Sequence, residues 1–182
     1  TLYNEAGESI ASINELGFST TTTHDAVSRP VCTIDPLGCR VTTVYDSAGR
    51  TIAKVDARGF ISTSVYDSAD RLIASESGRG YRTTSVYNAV GLLVASVNPL
   101  GYRTTSVYDA GDQLIAKIDP SDYVTTTNYD AAGRISSQIN AESHRTTNLY
   151  DPDGRRIAVV DGRGSRTSFG YDGAGRQIEE TD

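Results

Sequence analysis

Tyrosine recurs in this chain at a fixed interval of 21 residues, and no other feature of the sequence restricts the fold as strongly. The repeats begin at residues 3, 24, 45, 66, 87, 108, 129, 150 and 171, with His24 in the one vacancy. No insertion interrupts the spacing, so every residue can be assigned to one of 21 columns counted from the tyrosine. A constant period of this length is typical of arrays whose repeats pack on their neighbours. We therefore expect a single repeat array over residues 1–182, forming a segment of a longer chain.

Each repeat contains two turn signals. Column 2 and column 12 hold Asp or Asn in nearly every repeat, and Gly usually follows three residues later, in columns 5 and 15. Asp and Asn cap the backbone at the first turn position, and Gly accepts the positive φ that the fourth can require. Four of the five prolines directly follow such an Asp or Asn, where a fixed φ suits a type I turn: Pro36, Pro99, Pro120 and Pro152. Only Pro30 lies outside a turn.

Between the turns run stretches rich in Ile, Val, Thr and Tyr, such as residues 71–76 and 81–87, which are typical of strands. The hydrophobic fraction is 37%, below the roughly 45 to 50% of ordinary globular domains, so a single thick core is not expected. The sequence predicts an all-β fold, a repetitive array of antiparallel β-hairpins with one hairpin per 21-residue repeat.

Aliphatic residues favour columns 8, 11 and 21, as in Ile52, Val55 and Val65. Columns 8 and 11 differ in parity, so a regular strand would point them to opposite faces unless a bulge after one turn realigns them. The sequence leaves both arrangements open. In either case one hairpin cannot bury its apolar residues alone, and each repeat must pack on its neighbours.

Arginine recurs in columns 6 and 17, against the aspartates of columns 2 and 12, which favours charge-paired ladders between repeats. The chain has only two lysines, Lys54 and Lys117, and this bias towards Arg favours planar contacts to carboxylates and carbonyls. The residues to which we assign a structural role are Tyr45, Asp46, Gly49, Arg50, Tyr66, Asp67, Tyr87, Tyr108, Asp109, Tyr129, Asp130, Gly133, Arg134, Tyr150, Asp151, Gly154 and Arg155.

Charge and motif content argue against several classes of function. The net charge of −6 lacks the basic footprint of a nucleic-acid or anionic-membrane binder, and no apolar run reaches the ~18 residues of a membrane span. His24 and His144 stand where other repeats carry aromatic residues, so we interpret both as packing substitutes. Residues 151–154 resemble the start of a calcium loop but lack the later ligands. We expect no catalytic, cofactor or metal site.

Cys32 and Cys39 flank the turn at residues 35–38 and occupy columns 9 and 16. If column 9 pairs with column 16, the two residues can form a disulfide. If a three-residue turn with a Gly bulge shifts the register, the sulfur atoms lie too far apart. The sequence leaves this choice open, and such a pair fits an oxidising exterior slightly better than the cytosol.

The hexapeptide Tyr-Asp-x-x-Gly-Arg, complete at residues 45–50, 129–134, 150–155 and 171–176, resembles the YD or RHS repeat. The resemblance covers the whole chain. In this respect the chain is similar to bacterial RHS proteins, toxin-complex shells and teneurins. It implies an extracellular or cell-surface protein whose hairpins form a continuous, spiralling sheet. In several members that sheet closes into a hollow shell, and some shells enclose a C-terminal toxin.

Two departures from the family pattern favour an open, fibre-like or solenoid-like rod over a closed shell. A second aromatic residue often precedes Tyr-Asp in the family, where this chain has Ser64, Ser85, Ser106 or Thr127, and the 21-residue spacing never varies. The leading hypothesis is a non-enzymatic extracellular fibre or surface scaffold whose partners are neighbouring repeats or further copies of the chain. The alternatives are a shell around a toxin cargo and an adhesion module for surface glycans.

Overall fold

The computed structural model describes all residues from 1 to 182 and consists of 18 β-strands joined by turns, with no helix. No segment forms a helix that is long and apolar enough to cross a membrane. Two compact units are present: the first contains Thr1–Val86 and Val97–Gly101, and the second contains Tyr87–Ser96 and Tyr102–Asp182.

The strands of the first unit run from β1 to β9, and those of the second from β10 to β18. The terminal residues Tyr87 of β9 and Val97 of β10 fall on the other side of the division. The bounds are β1 Leu2–Tyr3, β2 Ser9–Ile13, β3 Ser19–His24, β4 Pro30–Ile34, β5 Arg40–Tyr45, β6 Thr51–Val55, β7 Ile61–Tyr66, β8 Leu72–Glu76, β9 Arg82–Tyr87, β10 Leu93–Val97, β11 Arg103–Tyr108, β12 Leu114–Ile118, β13 Val124–Tyr129, β14 Ile135–Ile139, β15 Arg145–Tyr150, β16 Arg156–Val160, β17 Arg166–Tyr171 and β18 Gln177–Thr181.

Each repeat forms one five-residue strand from column 7 to column 11 and one six-residue strand from column 17 to the next tyrosine. Within the first unit, β1 to β9 pair antiparallel in chain order. Within the second unit, β11 to β18 pair in the same way. The prediction of an all-β array of antiparallel hairpins is confirmed. The predicted strands at residues 71–76 and 81–87 each begin one residue later, at Leu72 and Arg82.

Both turns of a repeat have the same backbone geometry. At residues 35–39 the Gly38 N–H donates to the Asp35 carbonyl at 3.0 Å, and the Asp35 N–H donates to the Cys39 carbonyl at 3.0 Å. Gly38 has a φ of +82°. This combination is the three-residue hairpin loop, a type I turn followed by a left-handed residue that forms a bulge. Five non-glycine residues occupy that left-handed position: Ser28, Asp70, Asp112, Asp122 and Ser143.

The turn geometry determines the strand register around Cys32 and Cys39. Cys32 lies opposite Thr42 in the adjacent strand, and Ile34 lies opposite Arg40. Column 9 therefore pairs with column 19 rather than column 16, as the bulged loop requires. Both thiols are free, with Cys32 buried and Cys39 exposed. Of the two registers that the sequence left open, the structure has the one that does not permit a Cys32–Cys39 disulfide.

A β-bulge follows the first turn of each described hairpin, which was one of the two arrangements proposed for columns 8 and 11. Val44 pairs with Ala53, but the next residue, Tyr45, pairs with Thr51, so Ile52 is the additional residue. The same shift recurs in the other hairpins of both units. A bulge of this kind increases the local twist of the strand pair.

In each unit, the most buried residues form a row of small side chains in column 9. Ala11, Cys32, Ala74, Ala95 and Ala158 are the buried hydrophobic residues, and Ser137 of the same column is buried too. No large side chain is fully buried, and the valines of column 21 remain about two-fifths exposed, as in Val65 at 42%. The absence of a thick core agrees with the sequence prediction, but the aliphatic columns 8, 11 and 21 are not where burial is greatest.

Replacement of Ser143 by Gly is expected to stabilise the chain. Ser143 has a φ of +65°, and the left-handed conformation costs an L-residue about 1 to 2 kcal/mol, which exceeds the entropic cost of Gly. We expect the free energy of unfolding to rise by about 0.5 kcal/mol, measured by urea denaturation. Ser121→Gly is the matched control, because Ser121 lies in the same kind of turn without a positive φ. Stabilisation by Ser121→Gly, or none by Ser143→Gly, contradicts this account.

Candidate functional site: the contacts between repeats

The constant spacing of Tyr, Asp and Arg along the chain places these three side chains together at the first turn of most hairpins. Asp46 shows the arrangement. Its Oδ1 accepts the N–H groups of Ala48 at 3.0 Å and Arg50 at 2.9 Å, and its Oδ2 accepts the Arg50 Nε–H at 2.7 Å. One carboxylate therefore caps the turn and holds the guanidinium at the same time.

The Arg50 guanidinium also reaches the next repeat. Its Nη1 donates to the backbone carbonyl of Asp67 at 3.2 Å and to Oδ1 of Asp70 at 2.5 Å. The guanidinium lies over the Tyr66 ring, 4.9 Å from its centroid, in cation–π geometry. Arg50 thus binds the Tyr-Asp pair that begins the following repeat.

The tyrosine completes the contact in the opposite direction. The Tyr66 hydroxyl donates to the backbone carbonyl of Thr51, the first residue of the five-residue strand in the preceding hairpin, at 3.2 Å. Equivalent hydroxyls donate to the equivalent carbonyls at 2.8 to 3.0 Å in Tyr45, Tyr108, Tyr129, Tyr150 and Tyr171. Since Leu92 and Gln113 take the place of Arg before Tyr108 and Tyr129, the hydroxyl contact does not depend on the arginine.

The arginine contact recurs in three further pairs of repeats. Arg29 lies 4.7 Å from the Tyr45 ring, Arg134 lies 4.4 Å from Tyr150, and Arg155 lies 5.4 Å from Tyr171. Most ion pairs of this column join Arg to the Asp four residues earlier in the same repeat, whereas Arg50–Asp70 spans two repeats. The ladder between repeats consists mainly of rings, carbonyls and guanidinium groups, whereas the charge pairs lie within repeats.

The predicted pairing of column 17 with column 12 does not form. Arginine in column 17 lies five residues after the aspartate position, directly across the strand pair from column 11, as Arg82 lies opposite Glu76. Arg82 accordingly pairs with Glu76 at 3.7 Å, and Arg103, Arg145 and Arg166 bind Thr or Ser hydroxyls. The column 12 aspartates cap their own turns, as Asp56 does for Arg58 and Phe60.

The contact between the first two repeats replaces all three members of the motif. Asn4, Glu8 and His24 stand where other repeats have Asp, Arg and Tyr. The Asn4 amide donates to Glu8 Oε2 at 2.6 Å, and His24 Nδ1 lies 3.9 Å from the same oxygen. His24 Nδ1 is buried without a hydrogen-bond partner. Here a carboxylate takes the place of the guanidinium, and an imidazole takes the place of the phenol ring.

Most column 2 carboxylates are stabilised in their charged form. Hydrogen bonds from the Arg50 N–H and then from its guanidinium lower the pKa of Asp46, although partial burial opposes this shift. The guanidinium of Arg134, followed by its N–H, lowers the pKa of Asp130 in the same way. The pKa values of Asp25, Asp67 and Asp172 are also lowered, mainly by the N–H of the arginine four residues on.

Other residues that the sequence singled out have local roles. Asp151 accepts the Arg155 N–H at 2.8 Å and the Arg155 Nε–H at 2.7 Å, so its carboxylate is used as in the other repeats. His144 lies at the surface, 3.2 Å from Glu142. No group of three or more His, Cys, Asp or Glu side chains is placed to hold a metal ion. Ser77 was missed as a turn cap, although Gly80 three residues later marks the turn, and its Oγ accepts the Tyr81 N–H at 3.2 Å.

We expect Tyr129→Phe to destabilise the chain by about 1 kcal/mol, because it leaves the half-buried Leu114 carbonyl without the hydroxyl that donates to it at 3.0 Å. Tyr123→Phe is the matched control, since this tyrosine is 60% exposed, and it should change stability by less than about 0.5 kcal/mol. Urea unfolding of both variants measures the difference. Equal effects would show that the hydroxyl contact between repeats contributes nothing.

The lowered pKa values predict loss of stability in acid. A carboxylate whose folded-state pKa lies below the unfolded value of about 3.9 stabilises the fold fully above that pH. The contribution is lost as the pH falls through the folded-state pKa. Asp130→Asn should keep the turn cap, as Asn4 and Asn88 do, and remove one group from this dependence. Unfolding followed between pH 2 and 7 should give a shallower loss below about pH 4 for the variant; an unchanged slope counts against the assignment.

The RHS Repeat family model matches residues 87–122, 108–145 and 150–182, which together make up just over half of the chain. No curated protein matches the chain. The crystal structure of TcdB2-TccC3-TEV is similar to 96% of this chain at 15% identity, with a TM-score of 0.56. The Tc holotoxin pore of Photorhabdus luminescens, with a mutated TccC3, is similar to 99% of the chain at 16% identity, with a TM-score of 0.48.

This chain covers 12% and 13% of those two longer chains. At such low identity the likeness to the TcdB2-TccC3-TEV structure concerns the fold alone, and that fold agrees with the hairpin array described above. The matched segments contain the same turns and the same Arg–Tyr contacts as residues 24–66, which precede them. The chain belongs to the RHS repeat family.

Proposed function

We propose that this chain is a wall segment of a hollow RHS shell and has no catalytic role of its own. The observation that carries the proposal is the use of the motif side chains. The tyrosine hydroxyl, the aspartate carboxylate and the arginine guanidinium are each bound to a neighbouring repeat or to their own turn, as in Tyr66, Asp46 and Arg50. The groups that recur most regularly hold hairpins together.

The same contacts argue against an active site in the repeat motif. A general base or nucleophile needs a side chain that can reach a substrate and exchange a proton with it. The carboxylates of Asp46 and Asp130 instead accept two backbone N–H groups and a guanidinium, and their lowered pKa values favour the ionised form. The free thiol of Cys32 is buried in the row of small residues. These residues serve a structural role in the proposal.

A shell is favoured over the fibre that the strict spacing first indicated. The fold resembles part of the much longer TcdB2-TccC3-TEV chain, and the RHS resemblance implies a closed wall in several family members. The repeats are also less equivalent than their constant length indicates. Arg is missing at Leu92 and Gln113, and the first contact uses Glu8 and His24. Such differences allow the contacts between adjacent repeats, called joints here, to differ in strength. A helical fibre instead requires the same joint at every repeat.

The remaining parts of the proposal concern the surroundings of the wall. We include residues 1–182 in a single repeat array, because the same turn bonds recur from Asn4 to Asp172. The cargo would be a polypeptide enclosed by the full-length protein, and the protein would act outside the cell. The RHS resemblance supports both points.

The test is cryo-electron microscopy of the full-length protein that contains this segment, combined with protease digestion. We expect closed hollow particles and an internal polypeptide that resists protease. Arg134→Gln with Arg155→Gln should loosen two joints and raise the rate of cleavage, whereas Arg176→Gln, whose side chain is 80% exposed, serves as the control. Filaments, or particles with no protected polypeptide, contradict the shell and favour the fibre.

A further inference from the structure

Two arginines in the second turns of adjacent hairpins lack the partners that the motif arginines have. Arg58 is 76% exposed, and its Nε lies 3.9 Å from Asp56 Oδ2. Arg79 is exposed and has neither an ion pair nor a side-chain hydrogen bond. Both lie in column 14, which holds Leu16, Leu37, Leu100, Ser121, Glu142 and Arg163 in the other repeats. Consecutive arginines in this column occur only here.

Two aromatic side chains lie beside these arginines. Phe60 is 44% exposed and Tyr81 is 57% exposed, and the Arg58 guanidinium lies 5.8 Å from the Phe60 ring centroid. Both rings and both arginines line one open cavity of about 340 Å³ in the first unit, together with Asp56, Ser77 and Gly78. This set of residues is called the Arg58–Arg79 groove below.

Gly78 shapes the floor of the Arg58–Arg79 groove. A Cβ atom at this position would clash with the Cβ of Phe60 and would lie 3.2 Å from its backbone carbonyl carbon. The other repeats mostly have Pro or Ala in this column, as in Pro36 and Ala57. Because Gly78 has no side chain, Phe60 can lie directly against the neighbouring turn. The two hairpin ends therefore approach closely where the two arginines stand.

The charge of the groove is opposite to that of the chain. Two guanidinium groups face one carboxylate, and Oδ1 of that residue, Asp56, already accepts the N–H groups of Arg58 and Phe60. The nearby Glu76 lies 3.7 Å from Arg82. A surplus of positive charge therefore remains in a chain whose net charge is −6. Because the whole chain is negative, this local positive charge attracts an anionic ligand only at short range.

We infer that the Arg58–Arg79 groove binds an acidic peptide segment in which a carboxylate side chain adjoins an aromatic one. The chain itself demonstrates this chemistry: Arg50 binds one carboxylate at Asp46 while it lies over the Tyr66 ring. In the groove, the guanidinium groups of Arg58 and Arg79 bind the carboxylates of the peptide, and Phe60 and Tyr81 offer their faces to its ring. The cavity volume is at the lower end of the range for ligand sites, which suits one or two side chains.

The experiment measures fluorescence anisotropy of a labelled peptide with the sequence Gly-Tyr-Asp-Glu-Tyr-Gly, titrated with the chain. We expect saturable binding below about 1 mM. Arg58→Ala and Arg79→Ala should each weaken it by about tenfold, in line with the loss of a charge-assisted hydrogen bond. Arg163→Ala is the matched control, because Arg163 occupies column 14 beside Ser165 rather than an aromatic residue, and binding should not change.

Two further arms separate the peptide from other occupants. The peptide with Asn and Gln in place of Asp and Glu should not bind, and a trisaccharide of glucuronic acid should bind at least tenfold more weakly than the acidic peptide. Gly78→Ala should weaken peptide binding, because the new methyl group displaces Phe60. The inference is overturned if the acidic peptide does not bind by about 1 mM, if Arg163→Ala weakens binding as much as Arg58→Ala, or if the sugar binds more tightly.

Discussion

The repeat depends on the carboxylate at column 2, because its two oxygens accept hydrogen bonds from different groups. Oδ1 accepts two N–H groups of its own turn, and Oδ2 fixes the guanidinium four residues later. The turn brings the arginine to the correct side of the hairpin, and the carboxylate orients it towards the next tyrosine. One residue therefore sets both the local turn and the arginine contact between hairpins, as in Asp46 and Asp130.

Because the hairpins have no thick core, their mutual contacts must supply what burial supplies in globular domains. The buried row consists of alanine and other small residues, which bring little apolar area each. Cation–π contacts and the tyrosine hydrogen bonds lie outside that row, at the first turns. Stability is thus distributed along the array, with each hairpin depending on the one before and the one after.

The sequence predicted the hairpins, the turn positions and the family because these depend on local rules. Asp or Asn with Gly three residues later determines a turn wherever it occurs, as at Asp35 and Gly38. The register could not be derived in the same way, since it depends on a bulged loop that shifts column 9 from column 16 to column 19. Cys32 and Cys39 are therefore close in sequence but do not lie opposite each other.

The partners of the arginines also could not be predicted without the strand register. Column 6 lies four residues after its aspartate and faces it across the narrow end of the turn, whereas column 17 lies five residues after and faces column 11. A difference of one residue thus separates Arg50, which joins two repeats, from Arg82, which pairs with Glu76. The buried row at column 9 was overlooked because alanine gives a weak hydrophobic signal in the sequence.

The contact formed by Asn4, Glu8 and His24, in which all three motif residues are replaced, affects how such an array can change in length during evolution. Where every joint uses the same Arg and Tyr, loss or duplication of one repeat by recombination restores an identical joint, and neighbours remain compatible. Glu8 beside a tyrosine, or His24 beside an arginine, would not reproduce the contact that the two make together. These two repeats are therefore matched to each other and cannot exchange places with the other repeats. This contact can form at only one position of the array.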